Sequence, residues 1–235
     1  MPSRVSLIQW CSPVLALALI CSGASPVEAQ TTTDERIWVG LSLQVRPEAT
    51  SPWRGVFESQ VRSRDGVDAL EQWYVRPSVA YDVSTHSSVW MGYAFFRTTP
   101  VSGGALTEHR LWQQFLWSHP AAGGTFSSRS RLEQRNLEGN DHTSWRLRQQ
   151  LRFSRPVRPR ADWSVVVWDE FSAHLNQTRR TARGFDQNRA FVGMGLVFNP
   201  RARVEFGYQN QFVYSSLGAH RLNHVLSGVL TVTLR

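Results

Sequence analysis

A chain of 235 residues with 26 basic and 18 acidic side chains carries a formal charge of +8, and every basic residue is Arg, with no Lys anywhere. With 41% hydrophobic and 19% charged residues it is neither a disordered chain nor a helical membrane protein. Its length asks for one domain plus a removable segment, and no linker or low-complexity stretch interrupts it.

Residues 1–29 read as a secretory signal. Arg4 supplies the positive start, the run from Val14 to Ile20 the apolar centre, and Val27-Glu28-Ala29 a small-residue cleavage site before Gln30. The apolar run is too short to span a bilayer and follows Pro13, and lipidation at Cys21 is disfavoured by the bulky Ile20 before it. Both cysteines, Cys11 and Cys21, fall in this segment. The mature chain, 30–235, is therefore expected to hold together without a disulfide and to use neither thiol chemistry nor a Cys-ligated metal.

Period two then runs through the chain. Ile37, Val39, Leu41, Leu43 and Val45 alternate with Trp38, Gly40, Ser42, Gln44 and Arg46, which places the aliphatics on one face of a strand. Arg54 to Arg64 is a weaker candidate, and Ala69 to Tyr81, Val89 to Phe96 and Glu108 to Ser118 repeat the theme less cleanly. In 126–136, Phe126 and Leu132 share a face with Ser128, Ser130 and Gln134, while Arg129, Arg131, Glu133 and Arg135 line the other. In 143–155, Trp145, Leu147, Leu151 and Phe153 oppose Arg146, Arg148, Gln150 and Arg152. Trp163 to Ser172, Asn188 to Phe198, Arg203 to Val213 and Leu222 to Leu234 complete eleven segments of about ten residues. Turn residues such as Asp65-Gly66, Glu138-Gly139-Asn140, Asn199-Pro200 and Leu217-Gly218 separate them.

Ten-residue alternating strands behind a signal peptide predict an all-β protein: a single antiparallel transmembrane β-barrel of the bacterial outer membrane, with outer-membrane lipid outside and polar groups inside. A barrel with both termini in the periplasm needs an even number of strands, so eleven segments imply one missed or one false. The expectation is twelve strands, with ten as the alternative. Trp38, Trp53, Trp73, Trp90, Trp117, Trp145 and Trp163 lie near strand ends, where an interfacial girdle is expected, although the core of a soluble β-sandwich would also take aromatics. Leu226, Leu230, Val232 and Leu234 form the face that a last strand presents to the outer-membrane assembly machinery, with Leu234-Arg235 replacing the usual terminal aromatic. Short periplasmic turns and longer outer loops around 98–107 and 175–187 are expected.

Particular words in the chain resemble a bacterial family filed as domain of unknown function 2490. They are 108–114 (Glu108 to Gln114), 145–148 (Trp145 to Arg148), 167–170 (Val167 to Glu170), 184–191 (Gly184 to Phe191) and 223–226 (Asn223 to Leu226). The resemblance covers about 36–234, and the word Phe185-Asp186-Gln187-Asn188-Arg189 is its most specific element. It implies an outer-membrane β-barrel and brings no activity, cofactor or catalytic residue.

The arginine ladder Arg129, Arg131, Arg135, Arg146, Arg148 and Arg152, with Glu133 among it, is the strongest local feature. Left unpaired it would make a cationic, anion-selective interior; paired with Glu58, Glu108, Glu133, Glu170 and Glu205 it would make a salt-bridged plug, and the plug is favoured because so few strands leave little room. A second polar cluster comprises Glu108, Arg110, Asp169, Glu170, Asp186, Asn188 and Arg189, with 186–189 read as a loop-to-strand junction. No Ser stands in a recognisable nucleophile context. His109 shares a face with Leu111, Phe115 and Trp117, where a lipid-active site would lie, so a lipid-modifying hydrolase or acyltransferase is the alternative to a structural barrel or narrow channel. The histidines do not form a metal site, no cofactor is implied, and export and the absence of a motif argue against nucleic acid despite a pI near 10.6. The oligomeric state is open.

Overall fold

A computed structural model describes residues 31–48, 50–157, 159, 162–216 and 218–234; the signal-peptide reading of 1–29, with Cys11 and Cys21, lies outside these residues. Eleven strands follow one another without a helix among the described residues: β1 Thr31–Val45, β2 Trp53–Arg64, β3 Ala69–Asp82, β4 Ser87–Thr98, β5 Leu106–Ala121, β6 Gly124–Leu137, β7 Ser144–Pro156, β8 Trp163–His174, β9 Gly184–Asn199, β10 Ala202–Val213 and β11 His220–Leu234. All eleven periodic segments are strands, longer than their alternation alone marks.

Each strand pairs with its neighbours in sequence, and the sheet closes on itself as a barrel. The strand count corrects the expectation of twelve or ten. Ten neighbouring pairs are antiparallel, but β1 and β11 pair in parallel, from Thr31↔His220 to Val45↔Leu234. This closure removes the parity requirement: β1 starts at the rim where β11 also starts, so the described chain begins at one rim and finishes at the other. Calling the starting rim upper, the connections 65–68, 99–105, 138–143, 175–183 and 214–219 lie there; the lower rim carries 46–52, 83–86, 122–123, 157–162 and 200–201. The two connections expected to be long share the upper rim, shorter than foreseen because 106–107 and 184–187 continue the strands. In the two-residue lower turn 122–123, Ala122 and Gly123 both adopt positive φ, 48° and 74°, the conformation of a type I′ hairpin. At the upper rim the exposed Glu138 carboxylate accepts the Thr107 backbone N–H at 2.9 Å, which holds it below the usual carboxylate range.

Alternation decides what each face meets. Val39, Val61, Val79, Met91, Leu111, Phe115, Leu151, Val192 and Leu226 are exposed on the outer face. The interior instead buries Trp38, Tyr74, Phe96, Trp112 and Phe191 together with Arg, Glu and Gln. Trp53, Trp73, Trp117 and Trp145 stand on the outer face as expected, but Trp38 and Trp90 line the interior, because they fall in the polar register of their strands. Glycines make room for the inner rings: a Cβ at Gly92 would collide with the Trp112 indole, and one at Gly193 or Gly207 would collide with the Phe191 ring and the facing backbone.

Two strands carry a one-residue irregularity near the upper rim. Arg62 pairs with Gln72 and Ser63 with Leu70, which leaves Glu71 as an extra residue. Ser172 pairs with Gln187 and Ala173 with Phe185, which leaves Asp186 extra. Each bulge turns an acidic side chain inward that strict alternation would have placed outside.

Candidate functional site: an arginine-rich interior

The interior encloses a cavity of about 1170 Å³. Its lining runs from Thr32, Arg64 and Thr99 near the upper rim to Thr125, Ser154 and Arg203 near the lower one, so the space follows most of the barrel's height. Fourteen arginines and seven carboxylates line it. The expectation of room for side chains and little more is thereby corrected. Eleven strands tilted around an axis leave a core wider than their own side chains fill, and the small residues Ser42, Gly195 and Ser227 line it on the β9–β1 side.

Across β5 to β9 the charges form one continuous lattice. Glu108 accepts both Nε and Nη2 of Arg110 at 2.9 and 2.8 Å and Nε of Arg135 at 2.5 Å. Glu133 accepts Arg146 at 2.6 Å and Arg148 at 2.9 Å, with Arg110 3.7 Å away. Glu170 accepts Arg148 at 2.5 Å and Arg129 at 2.6 Å, with Arg189 at 3.8 Å. Glu133 and Glu170 are each 2% exposed, and such a charge is tolerable in a protein interior only with this many donors around it. Arg152 reaches across to Glu205 through two bonds, 2.9 and 2.6 Å, and Arg76 holds Glu58 at 2.8 and 3.0 Å. Of the predicted ladder, Arg131 is the exception: it donates to Gln114 Oε1 at 2.9 and 2.7 Å, lies 4.2 Å from the Trp112 ring, and leaves Nη1 without a partner.

The second predicted cluster divides. Glu108, Arg110, Glu170, Asp186 and Arg189 join the interior. Asp169 and Asn188 point outside, where the Asn188 amide donates to both Asp169 oxygens at 3.0 Å. His109 also points outside, its Nδ1 2.5 Å from the Tyr93 hydroxyl, and Tyr208 with His224 repeats that geometry at 2.6 Å. Neither His is hydrogen-bonded to a Ser, and no group of three metal-ligating side chains occurs among the described residues.

A constellation that linear sequence does not reveal lies under the upper rim. Ser144 Oγ is 3.1 Å from His174 Nδ1, and His174 Nε2 is 3.4 Å from Asp186 Oδ1, whose other oxygen accepts Arg146 at 2.9 Å. Ser144 also meets Thr181 of the β8–β9 connection at 3.3 Å. The three residues come from β7, β8 and the β9 bulge, so only strand register and the inserted Asp186 bring them together. The order is nucleophile, base and acid, yet Ser144 is 2% exposed and does not line the cavity. As it stands the string clasps the 175–183 connection to three strands.

On the β9–β2 side two arginines lack a carboxylate hydrogen-bond partner, although Asp34 and Glu71 hold Arg36 there and Glu205 of β10 holds Arg152. Arg62 lies 4.2 Å from the Trp38 ring and 5.2 Å from Tyr74, and bonds to Gln60 at 2.7 Å and Gln72 at 2.8 Å. Arg189 lies 5.2 Å from the same Trp38 ring and contacts Gln187 at 3.3 Å.

Comparison with known proteins gives kinship without a role. The model of the family described as "Protein of unknown function (DUF2490)" matches residues 35–222. An uncharacterised protein of Methylorubrum extorquens is 32% identical over 217 residues, covering 90% of this chain and 92% of its own. No solved structure matches. The chain belongs to the DUF2490 family.

Proposed function

We propose that this family member is a bacterial outer-membrane β-barrel, exported by a cleaved signal peptide, whose interior forms a narrow aqueous path that prefers anions. The observation that carries the reading is a cavity that follows most of the barrel's height with two lining arginines for each lining carboxylate, inside a wall whose outer face is apolar. Guanidinium groups keep their charge at every physiological pH, so the preference does not depend on protonation.

Rings on the outer face support the membrane setting. Near the upper rim Trp73 packs on Phe95, and Phe185 on Phe171 and Phe212; near the lower rim Trp53 packs on Tyr81, Trp117 on Phe126, and Trp163 on Phe206. On β3 the two belts are eight residues apart, Trp73 to Tyr81, or about 26 Å along the strand. Strand tilt shortens that to roughly 20 Å of height, close to the apolar band of outer-membrane barrels.

The test is conductance of the refolded mature protein in a planar bilayer under a salt gradient. Discrete steps with a reversal potential of anionic sign are expected; silence from a correctly folded barrel would overturn the path and leave a structural barrel.

Ser144, His174 and Asp186 favour a second reading, a barrel hydrolase whose Ser144 is uncovered when the 175–183 connection moves. Covalent labelling of Ser144 by a fluorophosphonate, abolished in His174→Ala, would establish it. No labelling is expected from the closed clasp.

A further inference from the structure

The interior leaves more donors than acceptors without a partner, though Asn223 Oδ1 is an unpartnered acceptor. Eleven buried side-chain polar atoms have no partner among the described residues, and eight of them are N–H donors. Native interiors leave few such groups, and each asks for an explanation. Donors in this number ask for a ligand that brings oxygens.

Three of the donors gather around Trp38. Trp38 Nε1, Arg189 Nε and Gln209 Nε2 are all buried and unpartnered, and all three residues line the cavity. Register places them together: Trp38 faces Ser227, Val225 of the same strand faces Gln209, and Gln209 faces Phe191, two residues from Arg189. Arg62 completes the group by approaching the Trp38 ring that Arg189 also approaches. The hydrogen-bond partners of the two arginines are glutamines, which bring no charge, and the nearest carboxylate to Arg189 is Glu170 at 3.8 Å, already taken by Arg148 and Arg129.

We infer that Trp38, Arg62, Arg189 and Gln209 form a binding site for a dianionic oxyanion, a phosphate or phosphate monoester. Two fixed cations match two charges, and an indole N–H with an amide N–H adds neutral donors for the remaining oxygens. Chloride satisfies the charge of such a site but has no oxygens to distribute over divergent donors, so the site discriminates by geometry as well as by sign. The inference rests on the interior being reachable by anions, as the proposed path requires.

The test is isothermal titration of the refolded mature barrel, in a phosphate-free detergent at fixed ionic strength in chloride, with inorganic phosphate and separately with glycerol 3-phosphate. Saturable binding of one equivalent is expected. Affinity should fall at least tenfold in Arg62→Gln/Arg189→Gln and severalfold in Trp38→Phe, which keeps the ring and deletes the N–H. Arg152→Gln, whose partner Glu205 lies four residues from Gln209 along β10 toward the lower rim, about 13 Å away, should bind as the wild type does. Saturation by inorganic phosphate identifies a free anion as sufficient; saturation by glycerol 3-phosphate alone identifies an esterified phosphate, including a lipid headgroup. The inference is overturned if neither probe saturates, or if Arg152→Gln loses as much as the double variant. Anion-selective conductance without saturable binding would remove this site and keep the path, whereas saturable binding in a non-conducting barrel would do the reverse.

Discussion

Two sides of one interior use arginine in opposite ways. Across β5 to β7 Arg110, Arg129, Arg135, Arg146 and Arg148 are tied to carboxylates that are themselves almost sealed from solvent, as with Arg146 and Arg148 on Glu133. On the β9–β2 side Arg62 rests against Trp38 and Tyr74, Arg189 rests against Trp38, and both bond to glutamines. A buried ion pair is costly to break because the survivor stays charged and unpaired, while a cation over an aromatic ring gives up about 0.5–2 kcal/mol. The first side is a girder and the second is available for other partners.

Substitutions can break that contrast, and the largest effect is expected at the girder's centre. Glu133→Gln removes the carboxylate that Arg146 and Arg148 share, leaving them Asp186 and Glu170, and should cost about 3 kcal/mol, read as a lowered urea midpoint of the refolded barrel. An unchanged midpoint would show that water in the cavity already screens the lattice. His174→Ala removes the link between Ser144 and Asp186 and should cost about 1–3 kcal/mol, with faster proteolysis within 175–183 as the local readout. Arg62→Gln should cost no more than about 2 kcal/mol yet shift the reversal potential toward zero, so that conductance and stability respond on different sides of the barrel. The smallest effect belongs to the exposed exterior pair. Tyr93→Phe should change stability by about 1 kcal/mol or less and leave selectivity intact.

The strands were legible in the sequence because period two is a direct consequence of the pleat, and each of the eleven segments shows it. The inward register of Arg129, Arg131, Arg146 and Arg148 followed from the same pattern, with Leu132, Leu147 and Leu151 marking the other face. The strand number did not follow, since a rule of even parity was applied to a barrel that closes in parallel. Nor did the clasp, because Asp186 owes its inward position to a bulge that shifts the alternation by one. Trp38 misled for a related reason. At the start of the alternating run from Ile37 a tryptophan fits an interfacial belt, but β1 begins at Thr31, so Trp38 falls at mid-strand on the inward face. The contrast between ion-paired and ring-stacked arginines depends on which strands lie across the cavity from one another, and no local pattern records that.

The parallel seam bears on how the molecule is made. Its fifteen paired positions join the first and last strands of the described chain, Thr31 to His220 at one rim and Val45 to Leu234 at the other. The seam is thus the contact of longest sequence separation, and β1 keeps one edge open until β11 arrives. Every incomplete intermediate is a curled sheet with two unsatisfied margins, prone to pairing with a neighbouring chain. Fastening those margins leaves the sheet without an open edge, and losing either terminal strand would reopen both margins together.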